Sequence, residues 1–284
     1  MIWRFRGRGM TFEQVRIMGI LNVTPDSFSD GGKYHGRREA VEQALRMARA
    51  GADVIDVGGE STRPGAPPVS LEEELERVLP VIREIRRELD IPLSIDTTKP
   101  EVAREALLAG VEIVNDVDGL HAVPGMAEVA REFRAGLILM HRRGNPETMQ
   151  QLARYEDVTD EVFEELKQSY EQVTASGVSP DQIVLDPGIG FAKNAEQSLE
   201  LVANLARFHS WGRPVLMGPS RKSFIGALVG REAGDREWGT AACVALAVER
   251  GVHLVRVHDV EAIRDVVKVA EAIVKAGDAS YVRS

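Results

Sequence analysis

Acidic and amide side chains stand in or at the ends of three short apolar runs of this sequence. Asp96 and Asp186 each end one run, and Asn115 lies within another. A carboxylate accepts two parallel hydrogen bonds from an N–C–N edge, and its charge strengthens them. Brought together, these groups would hold a flat heterocycle with several N–H donors. A metal centre is the competing interpretation, but no His-x-His pair or compact Cys/His cluster supports it.

Residues of these types also cap helices, which is the simpler explanation for each of them. The helix after Asp186 is predicted to begin near residue 195, too distant for capping. Asp96 lies two residues before a better cap, Thr98. Asn115 remains open, because an amide there also suits a backbone hydrogen bond. We therefore expect Asp96 and Asp186 to contact a ligand.

Basic residues follow the last two apolar runs. Lys222 comes shortly after Gly218, and Arg256 and His258 end the final run. With 35 Lys and Arg against 44 Asp and Glu, the net charge is −9, so an anion site must gather its cations locally. These residues meet that requirement and predict a phosphate site. Asn22, an oxygen ligand, could hold a Mg²⁺ whose other ligands are phosphate oxygens and water.

The polar residues are separated by alternating strand and helix patterns. Candidate strands cover residues 15–23, 53–58, 92–96, 112–117, 135–141, 183–186, 214–217 and 252–258. Candidate helices cover residues 37–50, 71–89, 101–109, 124–133, 157–176, 195–206, 237–250 and 260–276. Eight such repeats predict an α/β fold, a (β/α)₈ TIM barrel in a single domain. A doubly wound open sheet is the alternative, but no GxGxxG turn follows the first strand.

The strand repeat of two residues predicts where the polar side chains point. In the last strand, Arg256 and His258 share one face, and in the third, Asp96 shares a face with Ser94. The apolar faces should meet the helices, so the polar side chains should point into the barrel mouth. Active sites of this fold lie at that carboxyl-terminal rim.

The composition is that of an ordinary globular chain, with 284 residues of which 44% are hydrophobic. We assign residues 14–278 to the barrel, 1–13 to a loose N-terminal extension and 279–284 to a C-terminal tail. The negative charge argues against binding of nucleic acid or anionic membranes. Because there is one cysteine, Cys243, and neither a signal-peptide pattern nor a long apolar run, we expect a cytoplasmic protein without a membrane span.

Seven segments, in order, resemble the dihydropteroate synthases. They are MGILNVTPDSFSDGG at 18–32, DVGGESTRPGA at 56–66, SIDT at 94–97, NDV at 115–117, LDPGIGFAK at 185–193, SRKSFIG at 220–226 and RVH at 256–258. The resemblance implies a transferase that joins 6-hydroxymethyl-7,8-dihydropterin pyrophosphate to 4-aminobenzoate in folate synthesis. It also implies Mg²⁺ as cofactor, a homodimer, and competition by mimics of 4-aminobenzoate.

The resemblance assigns residues to each substrate. For the pterin they are Asp96, Asn115, Met140, Asp186, Phe191, Gly218 and Lys222. For the pyrophosphate they are Asn22, Arg256 and His258, with Asn22 also binding the metal. For 4-aminobenzoate they are Phe28, Thr62, Arg63, Pro64 and Ser223. The implied catalytic residues are Asp96, Lys222, Asp30 and Arg63.

Two positions depart from the family pattern. Arg142, in MHRRGNP at 140–146, stands where Met is common, and Asp118 stands where Ser is frequent. A role for His141 stays open between structure and function. The alternatives to a synthase are a pterin-dependent methyltransferase, which needs no pyrophosphate site, and a non-catalytic pterin-binding paralogue, which should have lost residues such as Phe28 and Arg63.

Overall fold

In this computed structural model, residues 1–24, 32–63, 65–119 and 124–277 are described. The strands in chain order are β1 (Ile2–Phe5), β2 (Arg8–Thr11), β3 (Arg16–Asn22), β4 (Val54–Gly58), β5 (Leu93–Asp96), β6 (Ile113–Asp116), β7 (Gly136–Met140), β8 (Ile183–Asp186), β9 (Leu216–Met217) and β10 (Leu254–Val257). Strands β3 to β10 form one parallel sheet in the order β8-β7-β6-β5-β4-β3-β10-β9.

The two end strands of this sheet meet and close it. Leu185 and Val215 form a parallel bridge between them, and the Leu185 N–H donates to the Pro214 carbonyl at 2.9 Å. Strand β9 begins at Leu216 rather than at the predicted residue 214, because Pro214 has no N–H for the ladder. The closed parallel sheet confirms the predicted (β/α)₈ barrel.

Helices follow the barrel strands and cover the outer face of the sheet. They are α1 (Gly32–Ala50), α2 (Leu71–Glu88), α3 (Pro100–Leu108), α4 (Pro124–Phe133), α5 (Val158–Ala175), α6 (Ala195–Ala203), α7 (Ser223–Val229), α8 (Glu237–Glu249) and α9 (Val260–Gly277). The sequence pattern does not predict α7, because seven residues are too few to show a helical repeat. The cap predicted at Thr98 is wrong: Lys99 is the N-cap of α3 and makes no side-chain capping bond.

Residues 1–13, predicted to be a loose extension, contain an antiparallel hairpin of β1 and β2. Trp3 and Phe5 are 0% and 2% exposed and pack on the apolar side chains inside the barrel. Trp3 Nε1 donates to the Gln182 carbonyl at 2.7 Å, just before β8 begins. The hairpin therefore seals the amino-terminal end of the barrel, and the expectation of a loose segment was wrong. The sequence signal was the burial-prone pair of aromatic residues at alternate positions.

The core has two main parts, one on each face of the sheet, and a smaller third cluster at the barrel mouth. Outward-facing residues such as Ile55 and Leu137 pack against the helices in the larger cluster. The inward-facing cluster consists of Met18, Val54, Ile113, Ile138, Val184, Leu216 and Leu254, together with the two hairpin aromatics. This inner cluster forms an apolar floor beneath the barrel mouth. Among the described helices, we find none with the length and hydropathy required to cross a membrane.

The hairpin position makes a prediction about stability. Replacing Trp3 with Ala should lower the free energy of unfolding by about 3–5 kcal/mol, because a fully buried indole is removed and the barrel floor is opened. The matched control is Ile2→Ala on the other face of the same strand, where Ile2 is 43% exposed. Urea unfolding measures both variants. Equally small decreases in the free energy of unfolding of the two variants would contradict the role of Trp3 in sealing the barrel end.

Candidate active site

A narrow slot opens at the carboxyl ends of the barrel strands. The residues predicted to bind the flat ring all line it: Asp96, Asn115, Met140, Asp186, Phe191, Gly218 and Lys222. Arg256, Thr62, Val117 and Ile189 complete the wall. The slot encloses about 20 Å³, and it adjoins an outer groove of about 260 Å³. The structure thus brings the predicted acidic and basic residues into one cavity.

Strand alternation explains why these side chains point inward. In four strands, the residue two positions before a slot residue belongs to the apolar floor. These pairs are Ile113 and Asn115, Ile138 and Met140, Val184 and Asp186, and Leu254 and Arg256. The slot therefore lies one layer above the floor, and the predicted inward orientation of the polar residues is confirmed.

Arg256 joins two buried carboxylates across the slot. Its Nε donates to Asp56 Oδ2 and its Nη2 donates to Asp96 Oδ2, both at 2.6 Å. Asn115 Nδ2 donates to the same Asp56 oxygen at 3.0 Å. Arg256 is predicted to bind pyrophosphate. It also forms ion pairs with carboxylates on the side of the slot that is predicted to bind the ring.

Asp56 is a site residue that the sequence reasoning missed. It is fully buried, and its Oδ1 has no hydrogen-bond partner among the described residues. The signal that could have found it is a single carboxylate in the middle of an otherwise apolar strand. Such a residue needs a buried cation or donor as partner, since an unpaired buried charge is costly.

Burial controls the protonation of this charge cluster. It raises the pKa of Asp96 to about 7, although the positive charge of Arg256 opposes the shift. It raises the pKa of Asp186 to about 6, and it lowers the pKa of Lys222 to about 8, with repulsion from Arg256 adding to the effect. Asp96, which lines the slot with Asp186, Lys222 and Arg256, therefore keeps its proton until the pH approaches neutrality.

Lys222 and the turn after β8 form one wall of the slot. Lys222 Nζ lies 3.7 Å from the centroid of the Phe191 ring. Asp186 Oδ1 accepts the Gly188 N–H at 2.7 Å, which shapes the turn between them. Gly188 has a φ of 68°, and a Cβ there would lie 1.9 Å from the His141 carbonyl oxygen. The turn that positions Phe191 therefore requires glycine at 188.

A buried chain of polar groups supports this turn from behind. Lys193 Nζ donates to the Phe191 carbonyl and contacts His141 Nδ1, both at 2.8 Å. His141 Nε2 lies 3.0 Å from Glu165 Oε2. Burial, helped by repulsion from Lys193, lowers the pKa of His141 to about 3, so the ring is neutral and donates to Glu165. His141 therefore has a structural role, and the sequence reasoning missed Lys193.

The residues predicted to bind the anion lie on the adjoining rim. A Cβ on Gly58 would lie 3.8 Å from Asn22 Oδ1 and 3.7 Å from Asp96 Oδ2, which places Asn22 beside the slot. Ser220 Oγ accepts the His258 backbone N–H at 3.2 Å and lies 2.9 Å from His258 Nδ1. Ser220 Oγ is placed to donate to Nδ1, and in that tautomer the His258 Nε2–H is available to donate to a ligand.

The residues predicted for 4-aminobenzoate are less completely described. Thr62 lines the slot, while Arg63 and Ser223 are exposed, with Ser223 the first residue of α7. The positive charge of Arg63 contributes to the lowered pKa of His258, after burial and two nearer arginines, so Arg63 lies on the same side of the mouth. The remaining predicted residues, Phe28, Asp30 and Pro64, lie outside the described residues.

The missed carboxylate provides a test of the buried charge cluster. Asp56→Ala should lower the free energy of unfolding by about 3–5 kcal/mol, because Arg256 and Asn115 lose a fully buried partner. The control is Glu132→Ala, which breaks an exposed pair with Arg104 at 2.7 Å and should change stability little. Chemical denaturation compares the two. Similar losses of unfolding free energy in the two variants would show that burial does not make the Asp56 pair more stabilising than an exposed pair.

Comparison with known proteins agrees with this geometry. A family model described as "Pterin binding enzyme" matches residues 18–258. The dihydropteroate synthase of Synechocystis is 51% identical over 258 residues, covering 90% of this chain and 89% of that protein.

Two solved structures from Xanthomonas albilineans are similar throughout. Its dihydropteroate synthase with 4-aminobenzoic acid has a TM-score of 0.88 and 44% identity, covering 94% of this chain and 96% of that one. The same enzyme in complex with 7,8-dihydropteroate has a TM-score of 0.87 and 40% identity, covering 96% and 98%. The shared barrel, the matched span and the polar slot lead to one conclusion: this chain belongs to the dihydropteroate synthase family of pterin-binding enzymes.

Proposed function

We propose that this protein condenses 6-hydroxymethyl-7,8-dihydropterin pyrophosphate with 4-aminobenzoate, giving 7,8-dihydropteroate and pyrophosphate for folate synthesis. The observation that carries the proposal is the single slot in which Asp96 and Asp186 face Lys222 and Arg256. The carboxylates suit a ring that donates hydrogen bonds, and the cations suit its departing anion. The complexes of the Xanthomonas albilineans enzyme with 4-aminobenzoic acid and 7,8-dihydropteroate support both the second substrate and the product.

The pterin would lie edge-on against the acidic residues. Asp186 and Asp96 accept hydrogen bonds from the ring, Asn115 adds an amide, and Met140 and Phe191 cover the ring faces. Lys222, whose Nζ lies 3.7 Å from the centroid of the Phe191 ring, would donate to the pterin ring from the wall of the slot.

The reaction would proceed by departure of pyrophosphate before the amine attacks. The bond between the pterin methylene and the pyrophosphate oxygen breaks, and its electron pair leaves with the pyrophosphate. Arg256 and the His258 Nε2–H stabilise that negative charge, while ionised Asp96 stabilises the positive charge left on the ring. The amine of 4-aminobenzoate then forms the new C–N bond and releases a proton. An aniline nitrogen is already a free nucleophile, so we assign no general base.

Magnesium fits this site as an ion carried mainly by the substrate. Among the described residues, no three His, Cys, Asp or Glu side chains form a metal-binding group. Asn22 Oδ1 at the rim offers one neutral oxygen ligand, and Mg²⁺ commonly takes its other ligands from phosphates and water. When bound, the ion would neutralise pyrophosphate charge. Asn22 would orient that end of the substrate.

The second substrate would enter from the side bordered by Thr62 and α7. Ser223 and Arg63 are exposed there and able to meet the carboxylate of 4-aminobenzoate. We assign Phe28, Asp30 and Pro64 to the same side from the family resemblance alone, with Asp30 as a further acidic group near the ring cation. A sulfonamide that mimics 4-aminobenzoate should compete for this position.

We also propose that the protein is a cytoplasmic homodimer. Helices α8 and α9 are in contact, and each leaves large apolar side chains exposed. Trp238 and Leu246 on α8 are 87% and 50% exposed, and Val269 and Ile273 on α9 are 60% and 68% exposed. An apolar face of this kind commonly marks a protein interface. A second copy of the chain is the partner that the family resemblance favours.

A pyrophosphate-release assay tests the function. The protein should release pyrophosphate only when Mg²⁺ and both substrates are present. Asp186→Asn should weaken binding of the pterin alone by about tenfold or more, because one charged acceptor is lost. Asp160→Asn, at a 63% exposed side chain on α5, is the control and should match the unmodified protein. Turnover without 4-aminobenzoate, or unchanged pterin affinity in Asp186→Asn, would contradict the assignment.

The pKa values predict how pterin affinity depends on pH. Affinity should rise from pH 5 to 8, since Asp186 and Asp96 lose their protons near pH 6 and 7 and become better acceptors. Above about pH 8, Lys222 loses its charge, so the pterin and its pyrophosphate ester should both bind less tightly. Calorimetry from pH 5 to 9 measures both ligands. An affinity for pterin independent of pH would contradict the proposed role of the two carboxylates.

A further inference from the structure

The two positions that depart from the family pattern contact each other. Arg142 Nη2 donates to Asp118 Oδ1 at 2.9 Å. The two residues are 24 positions apart, and they follow the neighbouring parallel strands β6 and β7. The contact therefore joins the two chain segments that follow these strands.

The two side chains differ greatly in burial. The Arg142 side chain is 4% exposed, and the Asp118 side chain is 26% exposed. Arg142 Nε is buried and has no hydrogen-bond partner among the described residues. Asp118 is therefore the contact that compensates a nearly buried guanidinium. Losing Asp118 would leave a buried charge unpaired, whereas losing Arg142 would leave a carboxylate that water can still reach.

This pair lines the outer groove, beside one wall of the slot. Val117 precedes Asp118 and Met140 lies two residues before Arg142, and both apolar residues line the slot. They belong to one buried cluster that also contains Phe191. A Cβ on Gly119 would lie 2.7 Å from the Met140 carbonyl oxygen, so the two chain segments are in close contact. The ion pair thus ties together the ends of β6 and β7 where they form the ring-binding wall.

A local turn fixes Asp118 in place for this contact. The Asp118 N–H donates to Asp116 Oδ1 at 3.0 Å. Asp116 is itself 2% exposed, and its carboxyl group faces the charges of Asp118 and Arg142. Replacement of Arg142 would therefore bring two carboxylates together without a cation. The turn and the ion pair reinforce each other.

We propose that Arg142 and Asp118 form a matched positioning pair that sets the spacing of Val117 and Met140 across the pterin slot. In this role the pair acts through Val117 and Met140, which line the slot. Ser at position 118 should be tolerated only when Arg142 is replaced as well, because Arg142 would otherwise be buried without its partner. The proposal rests on the proposed function for its substrate, but it concerns binding of the ring and is testable without turnover.

A double-mutant cycle on the full-length protein tests the pair. Asp118→Ser should weaken pterin binding by about tenfold, and Arg142→Met by a smaller factor, because only the first leaves a buried charge. The double variant should return to within about threefold of the unmodified protein. The affinity for pterin is measured by calorimetry, and the KM values for both substrates and kcat by the pyrophosphate assay. The KM for pterin pyrophosphate should rise while kcat and the KM for 4-aminobenzoate change little.

The controls separate positioning from general destabilisation. Asp118→Asn keeps the shape of the side chain without its charge, and it should reproduce most of the loss if Asp118→Ser folds poorly. Arg104→Met with Glu132→Ser, a remote exposed pair, should leave pterin affinity unchanged. Additive effects of Asp118→Ser and Arg142→Met on pterin affinity would overturn the proposal. A lowered melting temperature with unchanged pterin affinity would also overturn it. The unmodified protein could bind pterin and show non-additive effects of the two substitutions, yet release no pyrophosphate. That result would overturn only the proposed reaction.

Discussion

An excess of carboxylates over cations inside the barrel mouth is the constraint on which this site depends. Asp96 and Asp186 line the slot with Arg256 and Lys222, and Asp56 is fully buried in contact with Arg256. Arg256 can satisfy two of the three acids, and it does so at 2.6 Å each. Burial raises the pKa of Asp96 and of Asp186, while the positive charges of Arg256 and Lys222 oppose the shift. In the proposed reaction, a ring with N–H donors and a positive reaction centre would bring further partners to these carboxylates.

The scaffold maintains this unfavourable arrangement by surrounding it with rigid elements. Beneath the slot, an apolar layer is sealed by Trp3 and Phe5 of the amino-terminal hairpin. Beside it, the Asp186–Phe191 turn is held by Lys193 and His141, neither of which is predicted to contact substrate. These supports have no chemistry of their own. They keep charged groups within hydrogen-bonding distance of one another, where water would otherwise separate them.

The errors of the sequence analysis share a physical cause. Residues 1–13 were expected to be loose, because a four-residue strand has too few positions for a pattern, and its burial depends on a barrel end that is distant in sequence. Asp56 was missed because its partner Arg256 lies 200 residues away. Lys193 belongs to the segment 185–193 that resembles the family. However, no pattern in the neighbouring sequence indicates that its side chain points inward to His141. In each case the deciding contact is non-local.

By itself, the sequence determined the repeating strands and helices, hence the barrel, and it determined which strand ends carry acids and which carry bases. Those features follow from local periodicity and from the rule that parallel strands end at one rim. Only the tertiary structure decided which charges pair, namely Arg256 with Asp56 and Asp96, and Arg142 with Asp118. Pairing depends on distances across the barrel and on exclusion of water, and both arise only when the sheet closes.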